Sequence, residues 1–137
     1  MSVAKVDRQI SGDSPLFTGL SKRERKAVAR LFTPVTVPQG TVLTREGDPG
    51  REAMLIADGT ARVERDGTNV ATLGPGELFG ELSLLTGAPR NATIIAETDV
   101  VVAALSRQEF ASLLDASPKL AQKILVGAVL RLRDNAA

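Results

Sequence analysis

A short segment between residues 79 and 93 contains the side chains of this chain that are best suited to binding a charged, hydroxylated ligand. A glycine, Gly80, stands directly before a carboxylate, Glu81, and a guanidinium, Arg90, follows after one short apolar turn. A planar guanidinium can bind two phosphate oxygens at once, whereas a carboxylate accepts hydrogen bonds from hydroxyl groups. The segment therefore predicts a site for a ribose and a phosphate.

Each of these residues also has an ordinary structural interpretation. Gly80 is either a plain loop glycine or a place where the backbone comes close to a ligand without an intervening Cβ. Residues 81–86 suit one or two helical turns stopped by Gly87, with free amides at the start that face an anion. Alternatively, Glu81 only matches the helix dipole, Arg90 is a solvated surface cation, or the two pair with each other. The combination of Gly80, Glu81 and Arg90 in one short segment favours a ligand-binding site.

Composition excludes most enzyme sites. The chain has 137 residues, of which 43% are hydrophobic and 24% charged, and this fits one domain with a single core. It contains no cysteine and no histidine, which removes thiolate and imidazole metal ligands, disulfides and histidine-based catalytic triads. A net charge of +1 provides no general attraction for a polyanion. We therefore expect a binding protein that is not an enzyme and has no metal or cofactor.

Targeting signals are not evident in the sequence. The first residues mix charged and small side chains and lack the apolar middle of a signal peptide. The longest apolar stretches, residues 100–105 and 124–130, are far shorter than the roughly 20 residues that a membrane-spanning helix needs. We expect a cytoplasmic protein with one domain over residues 1–137, in which residues 1–14 form a flexible or loosely packed segment.

A helix is predicted directly after Leu20. Ser21 can cap its first amides, Glu24 can complete a capping box, and the helix should end near Thr33, before Pro34. Its basic side chains are interrupted by Glu24 and have no aromatic stacking partner, so they predict a solvated face and not a polyanion site. The side chains in question are Lys22, Arg23, Arg25, Lys26 and Arg30.

Short β-branched runs separated by glycines follow, a pattern typical of a β-sandwich or barrel. Asp66 and Gly67 predict a tight hairpin, since both tolerate a positive φ. The run at 100–105 is apolar on both faces and should be covered on both sides. Strands are predicted at 35–37, 41–44, 53–58, 60–65, 68–73, 91–96 and 100–105.

Two helices should close the chain. Ser106 and Glu109 form a second capping box, Ser117 and Pro118 interrupt the helix that it starts, and a final helix begins at Pro118. The apolar stripe of that helix must cover either the β-roll or another subunit. The predicted class is α+β: an antiparallel β-roll of the jelly-roll type with an N-terminal helix, a short phosphate-binding helix and two C-terminal helices.

Residues 79–85 (FGELSLL) and 89–93 (PRNAT) resemble the phosphate-binding cassette of the cyclic nucleotide-binding domain family. The spacing from Glu81 to Arg90 is similar, without a gap, to that of protein kinase A regulatory subunits and cyclic-nucleotide-gated channels. The order of helices and strands also resembles that domain across nearly the whole chain. The resemblance implies a regulatory domain that binds a cyclic nucleotide.

The resemblance also implies roles for individual residues in the cassette. Glu81 would accept a hydrogen bond from the ribose 2′-hydroxyl, and Arg90 would hold the cyclic phosphate. The backbone amides of Ser83 and Asn91 would complete the phosphate cradle. Asn91 departs from the alanine typical of cAMP-selective cassettes, where threonine is associated with cGMP. Because an amide offers both donors and an acceptor, base selectivity stays open, with cAMP favoured over cGMP.

The resemblance also implies which residues would contact the sugar and the base of the ligand. Gly80 and Leu82 would shape the sugar site, while Val63 and Leu73 would contact the purine or, alternatively, serve only as core. The last helix would close over the base and relay the signal to a protein effector or a linked effector domain. Candidates for that closing contact are Val129, Leu130 and Arg131.

Three further functions compete with the sensor. A structural or protein-interaction module that has lost its ligand would not need Glu81 and Arg90, which are both present. A DNA-binding regulator like the bacterial catabolite activator needs a recognition helix, and none follows the last predicted helix in this sequence, so this alternative takes the chain as the sensor fragment of such a transcription regulator. An enzyme of the cupin kind would need histidine ligands, which the chain lacks. We expect no direct contact with nucleic acid.

Overall fold

Two antiparallel sheets of four strands face each other, and helices cover one side of the roll. The computed structural model describes residues 2–136, so Met1 and Ala137, the ends of the predicted domain, lie outside the described residues. In one sheet the strands lie in the order 33–37, 100–106, 52–58 and 78–79, and in the other sheet in the order 42–44, 93–96, 61–65 and 68–73. The predicted fold class, a β-roll with flanking helices, is confirmed.

The helices lie at both ends of the chain and at one point between strands. A short π-helical turn over Gln9–Asp13 and a 3₁₀ turn over Pro15–Phe17 connect the first two α-helices. The helices are α1 Ser2–Arg8, α2 Lys22–Ala29, α3 Glu81–Thr86, α4 Arg107–Ala116 and α5 Pro118–Ala136. The strands are β1 Thr33–Val37, β2 Val42–Thr44, β3 Glu52–Asp58, β4 Ala61–Arg65, β5 Thr68–Leu73, β6 Leu78–Phe79, β7 Thr93–Ala96 and β8 Val100–Ser106.

Strand β8 lies at the centre of the fold, between β1 and β3. Its side chains alternate between two cores: Val101, Ala103 and Leu105 join the core under the helices, and Val100, Val102 and Ala104 join the core between the sheets. All six residues are buried. The prediction that this strand is covered on both faces is therefore confirmed.

The hairpin at the tip of β4 and β5 also agrees with the sequence. Asp66 has a φ of 51° and Gly67 a φ of 77°, so both turn residues have the positive φ that a tight hairpin requires. Strand β6 was not predicted, because its length of two residues is too short to show a periodic pattern. It directly precedes α3 and brings the start of that helix to β3.

Three predicted boundaries are wrong by two residues or more, and one of them is the start of β1, which lies at Thr33 and not at Val35. Helix α2 has the expected capping box at Ser21, but it ends at Ala29 and not near Thr33, because Thr33 already pairs with Ala104 of β8. The strand predicted from residue 91 begins at Thr93. The residues before it are held by a loop instead, since the backbone of Arg90 exchanges hydrogen bonds with residues 47 and 48.

From residue 2 onward the N-terminal segment packs against the roll, where the sequence predicted a flexible or loosely packed segment. Val6 and Ile10, one helical turn apart, are each 3% exposed and belong to the core under the helices. The Lys5 Nζ atom lies 2.8 Å from Oδ2 of Asp58 on β3, and this hydrogen bond lowers the pKa of the Asp58 carboxyl. These contacts attach the described part of the segment to the roll.

The two C-terminal helices begin where the sequence predicts. Ser106 and Glu109 form the capping box of α4, and α5 starts at Pro118. One edge of α5 is buried against the rest of the protein through Leu120, Ile124 and Ala128. Five large apolar residues of the helix are exposed, namely Leu125, Val126, Val129, Leu130 and Leu132. None of the helices within residues 2–136 has both the length and the apolar character needed to cross a membrane.

The packing of the N-terminal segment predicts different effects for two alanine substitutions in it. Ile10→Ala should lower the free energy of unfolding by about 2 kcal/mol, because it leaves a cavity in the core. Val3→Ala is the matched control: Val3 is 59% exposed, and its removal should change stability by less than about 0.5 kcal/mol. Urea unfolding measures both. Equally small effects would show that the segment is loosely attached after all.

Candidate functional site

A cavity of about 430 Å³ lies between the second sheet, helix α3 and the last turns of α5. This volume is within the range of small-molecule sites in proteins. Every residue to which the sequence assigned a ligand contact lines this one cavity: Val63, Leu73, Gly80, Glu81, Leu82, Ser83, Arg90 and Asn91. Of the candidates on the last helix, Arg131 lines it as well.

Gly80 directs the chain into α3 in a conformation that other residues rarely adopt. Its φ is 84°, in the left-handed region. A Cβ atom there would lie 2.8 Å from both Nη1 of Arg90 and the carbonyl oxygen of Glu52. Glycine is therefore required at this position both by the backbone conformation and by the close approach of these two groups.

Arg90 is held by backbone carbonyl groups. Its Nη1 donates to the Gly80 carbonyl oxygen at 2.8 Å, and its Nη2 donates to the Glu52 carbonyl oxygen at 2.6 Å. Burial lowers the pKa of Arg90 from its usual value, and the carboxylates of Glu52 and Glu81 oppose that change. Arginine stays charged throughout the physiological range. The result is a fixed cation at the cavity with further N–H donors to offer.

The loop between β2 and β3, residues 45–51, supports Arg90 from behind. The amide of Gly47 donates to the Arg90 carbonyl oxygen at 2.9 Å, and the amide of Arg90 donates to the Asp48 carbonyl oxygen at 2.8 Å. Gly50 of the same loop is buried against Ser83, where an added Cβ would lie 2.1 Å from the serine Cβ. The loop therefore fixes both Arg90 and the first turn of α3.

Glu81 is buried at the first position of α3 and pairs with the last helix. Its residue exposure is 3%, and Nη1 of Arg131 lies 2.9 Å from its Oε1 and 3.2 Å from its Oε2. Arg131 is half-buried, so this ion pair is partly shielded from solvent. Within residues 2–136, Glu81 and Arg90 do not form the ion pair that was the alternative interpretation of the sequence. The two side chains have different partners.

Ser83 and Asn91, the residues whose amides the resemblance assigns to the phosphate, both line the cavity. Ser83 is the third residue of α3, so its amide has no acceptor within the helix. Asn91 is exposed at the cavity rim, and its carbonyl oxygen accepts a hydrogen bond of 3.1 Å from Nε of Arg65. Arg65 itself lines the cavity. The sequence did not suggest a role for Arg65.

The opposite wall of the cavity is apolar. Val63 is 8% exposed and Leu73 is 9% exposed, and both belong to the core between the sheets as well as to the cavity wall. The core and ligand-facing interpretations of these residues are therefore compatible. Val129 and Leu130, the other candidates on the last helix, are 64% and 44% exposed and are not among the residues that line the cavity.

Besides Arg65, sequence reasoning missed three parts of the site. The Glu81–Arg131 ion pair depends on how α5 lies on the roll, and no local pattern reports this. The Glu52 carbonyl is a backbone group that any residue would supply. Gly50 follows Pro49 and reads as an ordinary turn glycine. Its nearness to Gly47 is a signal that the loop has little side-chain bulk.

The chain has relatives among known proteins. The sequence model of the family described as "Cyclic nucleotide-binding domain" matches residues 34–117. The chain is 35% identical over 114 residues to a cyclic nucleotide-gated potassium channel of Mesorhizobium japonicum, covering 83% of the chain and 32% of the channel. It is 36% identical over 126 residues to the cyclic AMP receptor protein of Thermus thermophilus, covering 88% of the chain and 58% of the receptor.

Among solved structures, PKAR CBD2 with bound Sp-2Cl-cAMPS has a TM-score of 0.81 and 25% identity to this chain. The match covers 98% of the chain and 92% of that structure. The curated relatives are longer: the chain spans about a third of the channel and less than three fifths of the receptor. The likeness therefore concerns one domain of these proteins.

The contact between Gly50 and Ser83 predicts a difference between two glycines. Gly50→Ala should lower the free energy of unfolding by about 1–3 kcal/mol, because the new methyl group overlaps Ser83 and must displace α3. Gly74→Ala is the control, since a Cβ there meets nothing within 4 Å and its φ is not in the left-handed region. It should change stability by no more than about 0.5 kcal/mol. Equal effects in urea unfolding would contradict the close approach.

Proposed function

The chain belongs to the cyclic nucleotide-binding domain family, and from that premise we propose that it is a regulatory sensor for a cyclic nucleotide, cAMP in preference to cGMP. The observation that carries the proposal is the convergence of a fixed Arg90 and a buried Glu81 on one cavity. The proposed role is binding and relay, without a catalytic step, metal or cofactor.

Arg90 is the proposed partner of the cyclic phosphate. Its guanidinium is already oriented by the Gly80 and Glu52 carbonyls, so little side-chain entropy is lost when an anion binds. One guanidinium balances the single negative charge of a cyclic phosphate. The amides of Ser83 and Asn91 are proposed to donate the remaining hydrogen bonds.

Glu81 is the proposed partner of the ribose 2′-hydroxyl. A carboxylate would repel the phosphate, so its ligand contact must be a hydrogen-bond donor. Arg131 contacts both carboxylate oxygens through one nitrogen, and each oxygen has two acceptor sites. A hydroxyl can therefore bind Glu81 while the ion pair stays in place. Gly80 and Leu82 are proposed to shape the sugar site around this contact.

The base is proposed to lie on the apolar wall formed by Val63 and Leu73. Burying a purine face against aliphatic side chains is favourable for adenine and guanine alike. Asn91, at the rim, is the residue in the proposal that could bond the exocyclic groups of a base, and it offers both donors and an acceptor. The preference for cAMP follows from the family resemblance.

Signal relay is proposed to run through α5. Arg131 joins that helix to Glu81, so a ligand that bonds Glu81 acts on the same carboxylate that holds the helix. The recipient would be a protein effector or a covalently linked effector domain, in the cytoplasm. A homodimer through α5 is part of the proposal, since the exposed apolar residues from Leu125 to Leu132 form a surface that a second copy could cover.

A second candidate function is an interaction module that binds no ligand. One observation favours it: the charge of Glu81 is already balanced by Arg131. Ligand-induced stabilisation distinguishes the two proposals.

The sensor predicts that cyclic nucleotides stabilise the fold. At about 100 times its dissociation constant, cAMP should raise the free energy of unfolding by about 2.7 kcal/mol. cGMP should do so only at higher concentration, and 5′-AMP, which has a doubly charged phosphate, should have little effect. Thermal unfolding with each ligand measures this.

The matched variants for that experiment are Arg90→Ala and Arg45→Ala. The first should abolish stabilisation by cAMP, and the second, at an exposed position of the loop, should retain it. If neither cyclic nucleotide raises the midpoint of the unmodified chain, the sensor proposal is wrong and the ligand-free module is favoured.

The ribose contact predicts how Glu81→Gln changes selectivity. The unmodified chain should bind 2′-deoxy-cAMP about tenfold more weakly than cAMP, the scale of one hydrogen bond to a charged group. In the variant the two ligands should bind with nearly equal affinity, because the charged acceptor is gone. Isothermal titration of both ligands tests this. A ratio that stays unchanged would assign the 2′-hydroxyl to another residue.

A further inference from the structure

Arg107 is the first residue of α4, and its side chain reaches away from its own helix. Its Nη1 makes a contact of 3.4 Å to the Leu84 carbonyl oxygen, and its Nη2 donates to the Gly50 carbonyl oxygen at 3.2 Å. A cation at a helix N-terminus is unfavourable for that helix, because the N-terminal end carries partial positive charge. The gain from Arg107 must therefore come from the two carbonyl groups that it contacts.

The first of these carbonyls belongs to the last turn of the cassette helix α3. The final carbonyl groups of a helix have no amide partner within it and carry partial negative charge. In α3, the Ser83 carbonyl accepts from the Gly87 amide at 2.9 Å, and the Leu82 carbonyl accepts from Oγ1 of Thr86 at 2.7 Å. The Leu84 carbonyl accepts a hydrogen bond from Arg107. A guanidinium is thus placed at the end of α3 where a cation is stabilising.

The second carbonyl belongs to the loop residue on which α3 rests. Gly50 is buried, and Ser83 and Arg90 occupy the space that a side chain there would need: an added Cβ would lie 2.1 Å from the Ser83 Cβ and 3.1 Å from Nη1 of Arg90. A shift of Gly50 would therefore move both proposed phosphate contacts. Arg107 contacts this residue and the end of α3 through one planar group, so it connects the loop to the helix.

Arg107 is not among the residues that line the cavity. We propose that it is a positioning residue for the cyclic phosphate: it holds α3 and Gly50 so that the Ser83 amide and Arg90 converge on the same phosphate. The inference rests on the proposed function. It also means that α4, which leads directly into α5, is attached to the phosphate end of the site, while Arg131 attaches α5 to the ribose end.

The test uses Arg107→Lys and Arg107→Gln in the full chain, with Arg23→Gln on the exposed face of α2 as the matched control. A lysine keeps the charge but lacks the planar fork that reaches two carbonyls. In both Arg107 variants the dissociation constant for cAMP should rise about tenfold, the effect of losing one charge-assisted hydrogen bond. The control should bind as the unmodified chain does.

A second readout separates positioning from general stability. The two phosphorothioate diastereomers of cAMP differ only in which non-bridging oxygen is sulfur, so their affinity ratio reports where the phosphate lies in the cradle. The unmodified chain should distinguish them, and both Arg107 variants should bring the ratio several-fold closer to one. The melting midpoint without ligand should change little in Arg107→Lys, which carries the test if Arg107→Gln does not fold.

Three outcomes would overturn the inference. Wild-type affinity for cAMP in both variants would show that Arg107 has no role in binding. A loss of affinity with an unchanged diastereomer ratio would reduce its role to general stability. If the unmodified chain binds no cyclic nucleotide, the proposed function fails and this inference fails with it. If the unmodified chain binds cAMP and the Arg107 variants bind it equally well, only this inference is contradicted.

Discussion

The guanidinium of Arg90 is the interaction on which the site depends. By donating to the carbonyl oxygens of Gly80 and Glu52, it joins the start of α3 to the beginning of β3. The left-handed turn at Gly80 is necessary for this, because any side chain there would collide with the guanidinium. Backbone hydrogen bonds to residues 47 and 48 hold Arg90 in turn. The protein's own carbonyl groups and loop therefore orient the cation, which reduces the entropy lost on binding.

Charges of opposite sign alternate across the site. Arg90 lies at one end, the buried carboxylate of Glu81 follows, and Arg131 of the last helix completes the series. A carboxylate as buried as Glu81 needs a hydrogen-bonding partner, and Arg131 supplies it. In our account this requirement is also the basis of signalling, because the partner belongs to a helix whose opposite face is exposed and apolar.

Much of the fold could be predicted from local patterns. The capping boxes at Ser21 and Ser106, the Asp66-Gly67 hairpin and the doubly apolar strand β8 each depend on residues close in sequence, and each is present in the structure. Some of the residues that line the cavity were also named from the sequence, through the family resemblance of the cassette, whereas others, such as Thr44 and Arg65, were not. The packing of α1 and the pairing of Arg131 with Glu81 were not predicted, because both depend on how distant elements dock.

The most direct measurement is a crystal structure of the chain with cAMP. The account predicts that the non-bridging phosphate oxygens lie about 2.7–2.9 Å from the Arg90 guanidinium. The ribose 2′-hydroxyl should lie within hydrogen-bond distance of Glu81, which keeps its contact with Arg131. A phosphate bound away from Arg90, with the ribose facing solvent, would contradict the central claim that this fixed cation and the buried carboxylate together form the binding site.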